Sequence, residues 1–360
     1  MCVCKEQDGE KIYFEKCKNL SIPIDFSDFK KYPGLQKMEY FKNPRGSLFK
    51  LTESEYNLIS EIIKKNNMEL NYSSNNSYSK KDFLNDTYMC EEKYDSLVSV
   101  LKKKKNIILQ GAPGVGKTFA AKRLAYSILN EKNEDFIEFI QFHQNYSYED
   151  FVMGYKPVEN GFKLKLGIFY NFCKKAERNP NKDYFLIIDE INRGNLSKIF
   201  GELLMLIESD YREEKITLSY GDEKFSVPKN LYIIGMMNTA DRSLAMIDYA
   251  LRRRFSFISL EPGFTSKGFL KYQENLSNDN FNKLIEIIKE LNQEIIRDKA
   301  LGSGFCLGHS YFCNINECTN KLLKDIIEFD IIPMISEYWF DEEEKLLTWN
   351  KKLCGIFNEK

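Results

Sequence analysis

The eight residues Gly111-Ala112-Pro113-Gly114-Val115-Gly116-Lys117-Thr118 have the types and spacing of a phosphate cradle, G-x-x-x-x-G-K-[ST]. Glycines let the backbone turn several N–H groups toward one phosphate, and a helix that starts at the loop's end adds its partial positive charge. Lys117 is placed to reach the β- and γ-phosphates of a nucleoside triphosphate, and the Thr118 hydroxyl to ligate Mg²⁺. The phosphate-binding set is therefore Gly111, Pro113, Gly114, Val115, Gly116, Lys117, Thr118 and Phe119. A second constellation is the apolar run Phe185-Leu186-Ile187-Ile188, which ends in Asp189-Glu190. At the carboxyl end of a strand, Asp189 would help Thr118 hold Mg²⁺ and Glu190 would polarise an attacking water. Asn192 and Arg193 follow at once, and Asn238 ends another apolar run within Met237-Asn238-Thr239-Ala240-Asp241-Arg242-Ser243. An amide at Asn238 could orient the water or sense the γ-phosphate; Asp241 could equally cap the helix that follows. That helix ends in Arg252-Arg253-Arg254. Arginines there match the helix dipole, and in a ring of subunits the same position can deliver a cation to a neighbour's γ-phosphate.

These side chains need strands and helices to position them. Short apolar runs at Ile107–Gln110, Ile137–Phe142, Tyr184–Ile188, Leu231–Met237 and Phe255–Leu260 read as buried strands, and Thr118–Leu129 reads as a helix. Alternation of strand and helix predicts an α/β fold with a parallel sheet covered by helices. Ile216–Val227 interrupts it with a hairpin turning at Tyr220-Gly221-Asp222-Glu223. Helical spacing returns at Phe281–Asp298 and Lys321–Ile335, in a small α-helical lid beyond Pro262-Gly263. Upstream, Leu51–Asn66 has helical spacing with Tyr56, Ile59, Ile62 and Ile63 on one side, and Thr52 with Glu55 fits a capping box. The polar stretch Asn71–Lys81 reads as a linker, residues 82–105 as a helical approach to the first strand, and Lys102–Lys105 as its solvated end. The expected division is a short N-terminal region (1–80), a nucleotide-binding α/β domain (81–262) and the lid (263–360).

Composition narrows the classes. A net charge of −1 gives no global basic field for nucleic acid. Nine scattered cysteines with only His143 and His309 disfavour structural zinc and suit free thiols in a reducing compartment. No apolar run approaches the ~20 residues of a membrane span, and the charged N-terminus lacks a signal-peptide core. A cytoplasmic protein is expected.

The order of phosphate loop, Asp-Glu strand, Asn-ended strand, arginine-bearing helix and helical lid resembles the AAA+ superfamily. Four stretches resemble one family within it more closely: Gln141–Phe151, Asp189-Glu190-Ile191-Asn192-Arg193, Met237–Ser243 continuing to Arg252-Arg253-Arg254-Phe255, and Gly308-His309-Ser310-Tyr311-Phe312. That family is the McrB-like GTPase motors of modification-dependent restriction systems, and the match runs from about Phe83 to the C-terminus. The resemblance implies GTP hydrolysis with Mg²⁺, a hexameric homo-oligomer, an McrC-like endonuclease partner, and contact with DNA through that complex. By position it implies that Glu190 and Asn192 handle the water and Asn238 is the sensor. It makes Arg253 and Arg254, with Arg193 as a second choice, the arginines acting between subunits.

Two features depart from the family pattern. Residues 1–80 are shorter than its DNA-recognition domains, and Gly302–Phe312 holds no Lys or Arg to act as the lid's cationic sensor. His309 either substitutes for that sensor or is a satisfied core or capping histidine. His143 has the same two readings, and Tyr146, Tyr148 and Phe151 read as packing residues. The residues themselves support NTP hydrolysis; guanine follows from the resemblance, since the N-K-x-D base-reading motif is absent. A base pocket is expected between the Phe83–Ile107 approach and the lid. The alternatives are a MoxR-like ATPase that remodels protein clients, and a binding module that uses nucleotide only to assemble. The chain shows no nuclease constellation.

Overall fold

The computed structural model describes residues 2–8, 11–16, 29, 31–42, 52–66, 77–159, 161–221, 224–240 and 249–357. The chain divides into two compact units, Met1–Asn76 and Ser77–Lys360. In the first, strands Cys2–Asp8 and Lys11–Lys16 form an antiparallel pair that the sequence reading did not anticipate. The helix Glu53–Asn66 starts at the expected capping box: Thr52 N–H donates to the Glu55 carboxylate at 2.7 Å, and Glu55 N–H to Thr52 Oγ1 at 3.3 Å. Its apolar side is narrower than the spacing suggested. Ile62 is buried with Leu35 and Met38, Ile59 is half-buried, and Tyr56 is exposed, because this small cluster covers only part of the helix. The Ile63 side chain lies outside the described residues.

The second unit is built on five parallel strands: β1 (Asn106–Gly111), β2 (Ile137–Gln141), β3 (Tyr184–Asp189), β4 (Leu231–Asn238) and β5 (Ser256–Leu260). They pair in the order β5-β1-β4-β3-β2. Alternate residues face opposite sides, and both sides are apolar. Ile107, Leu109, Phe185, Ile187 and Ile234 pack into one core, and Ile108, Leu186, Ile188 and Ile233 into another. The first core continues through the helix Lys117–Leu129 into the lid, where Phe269, Leu291, Leu307 and Phe312 join it. The lid helices include Lys267–Leu276, Asp279–Arg297 and Glu343–Gly355.

Several local expectations change. Residues 71–76 of the linker lie outside the described residues, but its end is structured. Tyr78 is buried, and Ser79 caps the helix Lys80–Thr87 in a reciprocal box with Asp82. The approach is thus two helices, Lys80–Thr87 and Glu91–Lys104. Lys102, Lys103 and Lys104 are exposed, whereas Lys105 turns inward in a left-handed conformation (φ 65°) with Nζ 4.3 Å from the centre of the Tyr232 ring. The hairpin Ile216–Thr217/Lys224–Phe225 forms as read, with Asp222 and Glu223 of its turn outside the described residues. A larger hairpin, Met153–Val158 with Gly161–Leu166, was missed. Its signal was the alternation Phe162, Leu164, Leu166 after Asn160-Gly161.

Arg212, 3% exposed, ties the amino ends of the strands together. It donates to the carbonyls of Ile207, Pro228 and Leu231 and to Asn106 Oδ1. Among the described residues, no helix is long and apolar enough to cross a membrane.

Candidate nucleotide site

Strand register gathers the chemical residues at one edge of the sheet. Gly111, the last residue of β1, pairs with Asn238 of β4 on one side and Leu260 of β5 on the other. Ile188 of β3 pairs with Gly235 of β4, which brings Asp189 to the same edge. Beyond Gly111 the chain needs the conformations that its glycines allow. Gly114 and Gly116 have φ of 75° and 76°, and a Cβ on Gly111 would lie 2.5 Å from the Leu260 carbonyl oxygen. The helix Lys117–Leu129 starts directly from this turn, so its first N–H groups face the loop's concavity. Lys117 folds over the rim, with Nζ donating to the Gly111 and Ala112 carbonyls at 3.0 and 2.9 Å. Val115 is buried, Pro113 half-buried, and Thr118 and Phe119 exposed in the first turn. The Arg123 guanidinium lies 3.3 Å from the centre of the Phe119 ring.

Asp189 Oδ1 accepts the Glu190 N–H at 3.0 Å. Glu190 itself is left-handed (φ 49°), an uncommon conformation for a side chain of its size. Its Oε1 accepts from Asn238 Nδ2 at 3.0 Å, and Arg193 Nε lies 3.0 Å from its Oε2 in an ion pair outside hydrogen-bonding angles. Asn192 is 8% exposed, and its Oδ1 is a buried acceptor with no hydrogen-bond partner among the described residues. A buried acceptor left in this state calls for a donor such as a water. The Thr118 hydroxyl and the second Asp189 oxygen fit Mg²⁺, which usually takes one or two protein ligands and completes its shell with phosphate and water. Among the described residues, no three or more His, Cys, Asp or Glu form a cluster that could hold a metal ion.

The structure does not bring Arg253 and Arg254 to this loop. They precede Ser256, which pairs with Ile107 at the amino ends of the strands, and the Arg254 carbonyl accepts from Asn106 Nδ2. The length of β1 separates them from Gly111, about 17 Å at 3.3 Å per residue. Both pair with Glu208, Arg253 at 3.3 Å and Arg254 at 3.1 Å. A role on the subunit's own phosphate is therefore removed, and a role toward a neighbour is left. Asp241, Arg242 and Ser243, including the cap read at Asp241, lie outside the described residues.

His309 is 7% exposed among Tyr88, Phe264 and Phe269. Its Nδ1 accepts the Gly263 N–H at 2.9 Å, and burial lowers its pKa to about 4. Without nucleotide it is a neutral buried histidine that accepts a loop N–H, which favours the core reading over the cationic sensor. His143 is exposed and edge-on to Tyr146, while Phe151 is fully buried and stacked on Phe169. Tyr148 is half-buried and donates to Glu202 Oε1 at 2.8 Å.

Sequence reading missed how the lid meets the loop. Gly308 N–H donates to the Pro113 carbonyl at 3.2 Å and Ser310 N–H to the Gly114 carbonyl at 2.9 Å. A Cβ on Gly308 would fall 1.9 Å from the Gly114 carbonyl carbon. Beside this junction is a cavity of about 250 Å³ bordered by Tyr88, Met89, Val115, Gly263 and His309, in the region expected to hold the base. The larger cavity of about 860 Å³ lies within the lid, against Gln273, Lys283 and Lys351, and touches none of the cradle residues.

A parallel sheet in this strand order, with a glycine cradle and an acid pair at one edge and a helical lid over them, defines a P-loop nucleotide-binding class. Residues 106–255 match the model of the AAA domain (dynein-related subfamily), and residues 283–347 that of the McrB alpha-helical lid domain. The type IV methyl-directed restriction enzyme EcoKMcrB subunit of Escherichia coli (strain K12) is 50% identical over 295 residues, 79% of this chain and 64% of that protein. The type II restriction enzyme BsuMI component YdiS of Bacillus subtilis (strain 168) is 29% identical over 289 residues, 64% of this chain and 84% of that one. The chain belongs to the McrB-like family of AAA proteins. It spans less than two thirds of the length of the E. coli relative.

Proposed function

We propose that this chain is the nucleotide-hydrolysing motor of a restriction system. It hydrolyses GTP in preference to ATP, with Mg²⁺, assembles into a hexameric ring in the cytoplasm, and drives an McrC-like endonuclease that cuts modified DNA. The observation that carries the hydrolytic part is the convergence of Gly111, Asp189 and Asn238 at one sheet edge, with Glu190 hydrogen-bonded to Asn238. In this reading Gly111, Pro113, Gly114, Val115, Gly116, Lys117, Thr118 and Phe119 hold the nucleotide, and Thr118 and Asp189 hold the metal. Glu190 polarises the water, Asn192 supplies it with an acceptor, and Asn238 senses the γ-phosphate. The metal supplies charge neutralisation on the transferring phosphoryl group.

The restriction role is supported by the E. coli relative, a subunit of a methyl-directed restriction enzyme; guanine preference and the endonuclease partner follow from the family resemblance. Arg253, Arg254 and Arg193 act toward neighbouring subunits. The division into residues 1–80, 81–262 and 263–360 assigns hydrolysis to the middle segment and nucleotide-dependent movement to the last. The McrB-type lid weighs against a MoxR-like remodelling ATPase. Mg²⁺-dependent phosphate release from GTP and ATP, measured side by side, tests the proposal. Faster turnover of GTP is expected, and a clear preference for ATP would overturn the GTPase assignment.

A further inference from the structure

We infer that His309 is a nucleotide-binding residue of the lid, donating its Nε2 proton to an oxygen at the ribose–α-phosphate junction of the bound nucleotide. The inference rests on the nucleotide-binding reading above and adds a residue whose side-chain role that reading leaves open. Because Nδ1 accepts the Gly263 N–H, the ring proton of the neutral imidazole sits on Nε2. No hydrogen bond among the described residues engages Nε2; the residue is more than nine-tenths buried, but this atom is not enclosed and stays open to solvent. A donor on an otherwise buried ring, left open at this one atom, is available to a ligand's acceptor. Its direction is set by the neighbouring loop: Nε2 lies 3.8 Å from where a Cβ on Gly116 would be, and His309 borders the 250 Å³ cavity. Gly116 belongs to the phosphate cradle and the cavity suits a base, so a donor between them faces the part of a nucleotide that joins the two.

The position is held firmly. The N–H groups on either side of His309, at Gly308 and Ser310, bond to the carbonyls of Pro113 and Gly114. Tyr88, Phe264 and Phe269 restrict the ring. Burial lowers the ring's pKa to about 4, so the nucleotide-free protein presents a neutral Nε2–H donor.

Two substitutions separate the ring's two nitrogens. His309→Asn retains an acceptor near Nδ1 for Gly263 and loses the distal donor; His309→Gln places an amide donor near Nε2. Binding of GDP and of GTPγS to the full-length chain is measured by titration calorimetry, after thermal melts confirm folding. For His309→Asn, affinity should fall about tenfold for both nucleotides, the loss of one well-placed hydrogen bond. His309→Gln should stay within about threefold of wild type. Normal affinity in His309→Asn would overturn the inference, as would a loss seen with GTPγS alone. If both variants bind poorly, ¹⁵N-histidine NMR of the wild type decides. The Nε2 resonance should shift when GDP is added, and an unmoved resonance would overturn the assignment. Wild-type protein that binds no nucleotide would instead contradict the underlying reading of the site.

Discussion

Glu190 is the residue on which the hydrolytic account turns. Its carboxylate is held between Asn238 Nδ2 and the Arg193 guanidinium, on a left-handed backbone at the end of β3. Glu190→Gln keeps the shape and the Asn238 contact but removes the base. Nucleotide affinity should stay near wild type while turnover falls by roughly 10²-fold or more. Lys117→Ala should instead abolish binding, because the cradle loses its cation. Equilibrium binding and single-turnover hydrolysis on both variants distinguish the roles, and normal turnover in Glu190→Gln would require another base. His309 adds a pH signature. Its folded pKa of about 4 lies below the ordinary 6.5, so its contribution to stability is complete above pH 6.5 and is lost as pH falls toward 4. The loss amounts to at most about 3 kcal/mol. Urea unfolding of wild type should therefore weaken more between pH 6.5 and 5 than that of His309→Asn; equal slopes would show that His309 is not buried neutral.

At the scale of elements, legibility in the sequence followed the range of the interactions. The inner strands β1, β3 and β4 were readable because each is an apolar run buried on both faces, and the cradle because its geometry is dictated by glycines a few residues apart. The outer β2 and β5 are only partly buried and were readable from their place in the strand–helix alternation. The 153–166 hairpin was not. Its outward side chains, Tyr155, Val158 and Phe162 among them, are exposed and mixed with lysines, so they carry no clean buried pattern. The Arg212 network was also invisible, since its acceptors come from Asn106, Ile207, Pro228 and Leu231, which only the folded sheet brings together. The lid–cradle junction had a sequence signal in Gly308-His309-Ser310-Tyr311 but no indication that main chain meets main chain there. This contact predicts a contrast between two glycines. Gly308→Ala should cost about 2 kcal/mol or more, because its Cβ overlaps the Gly114 carbonyl. Gly355→Ala, with open space around it at the end of a helix, should be neutral or stabilising by up to about 1 kcal/mol. Chemical denaturation of both variants checks this, and equal effects would mean the lid does not dock on the loop as described.

At the scale of the molecule, the arginines Arg253 and Arg254 lie at the opposite end of the sheet from their own subunit's cradle, which is compatible with the expected role toward a neighbour. If they act on phosphate, they do so on a neighbour's, and hydrolysis then becomes a property of the assembly. Sequence showed the arginines but not the end of the sheet they occupy, which depends on the parallel register of β5 with β1. The central claim is tested most directly by Mg²⁺-dependent GTP turnover per subunit, measured across protein concentration. The account predicts a low rate in dilute protein that rises to a plateau as rings form. Turnover per subunit that is substantial and independent of concentration, in protein shown to be monomeric, would contradict it.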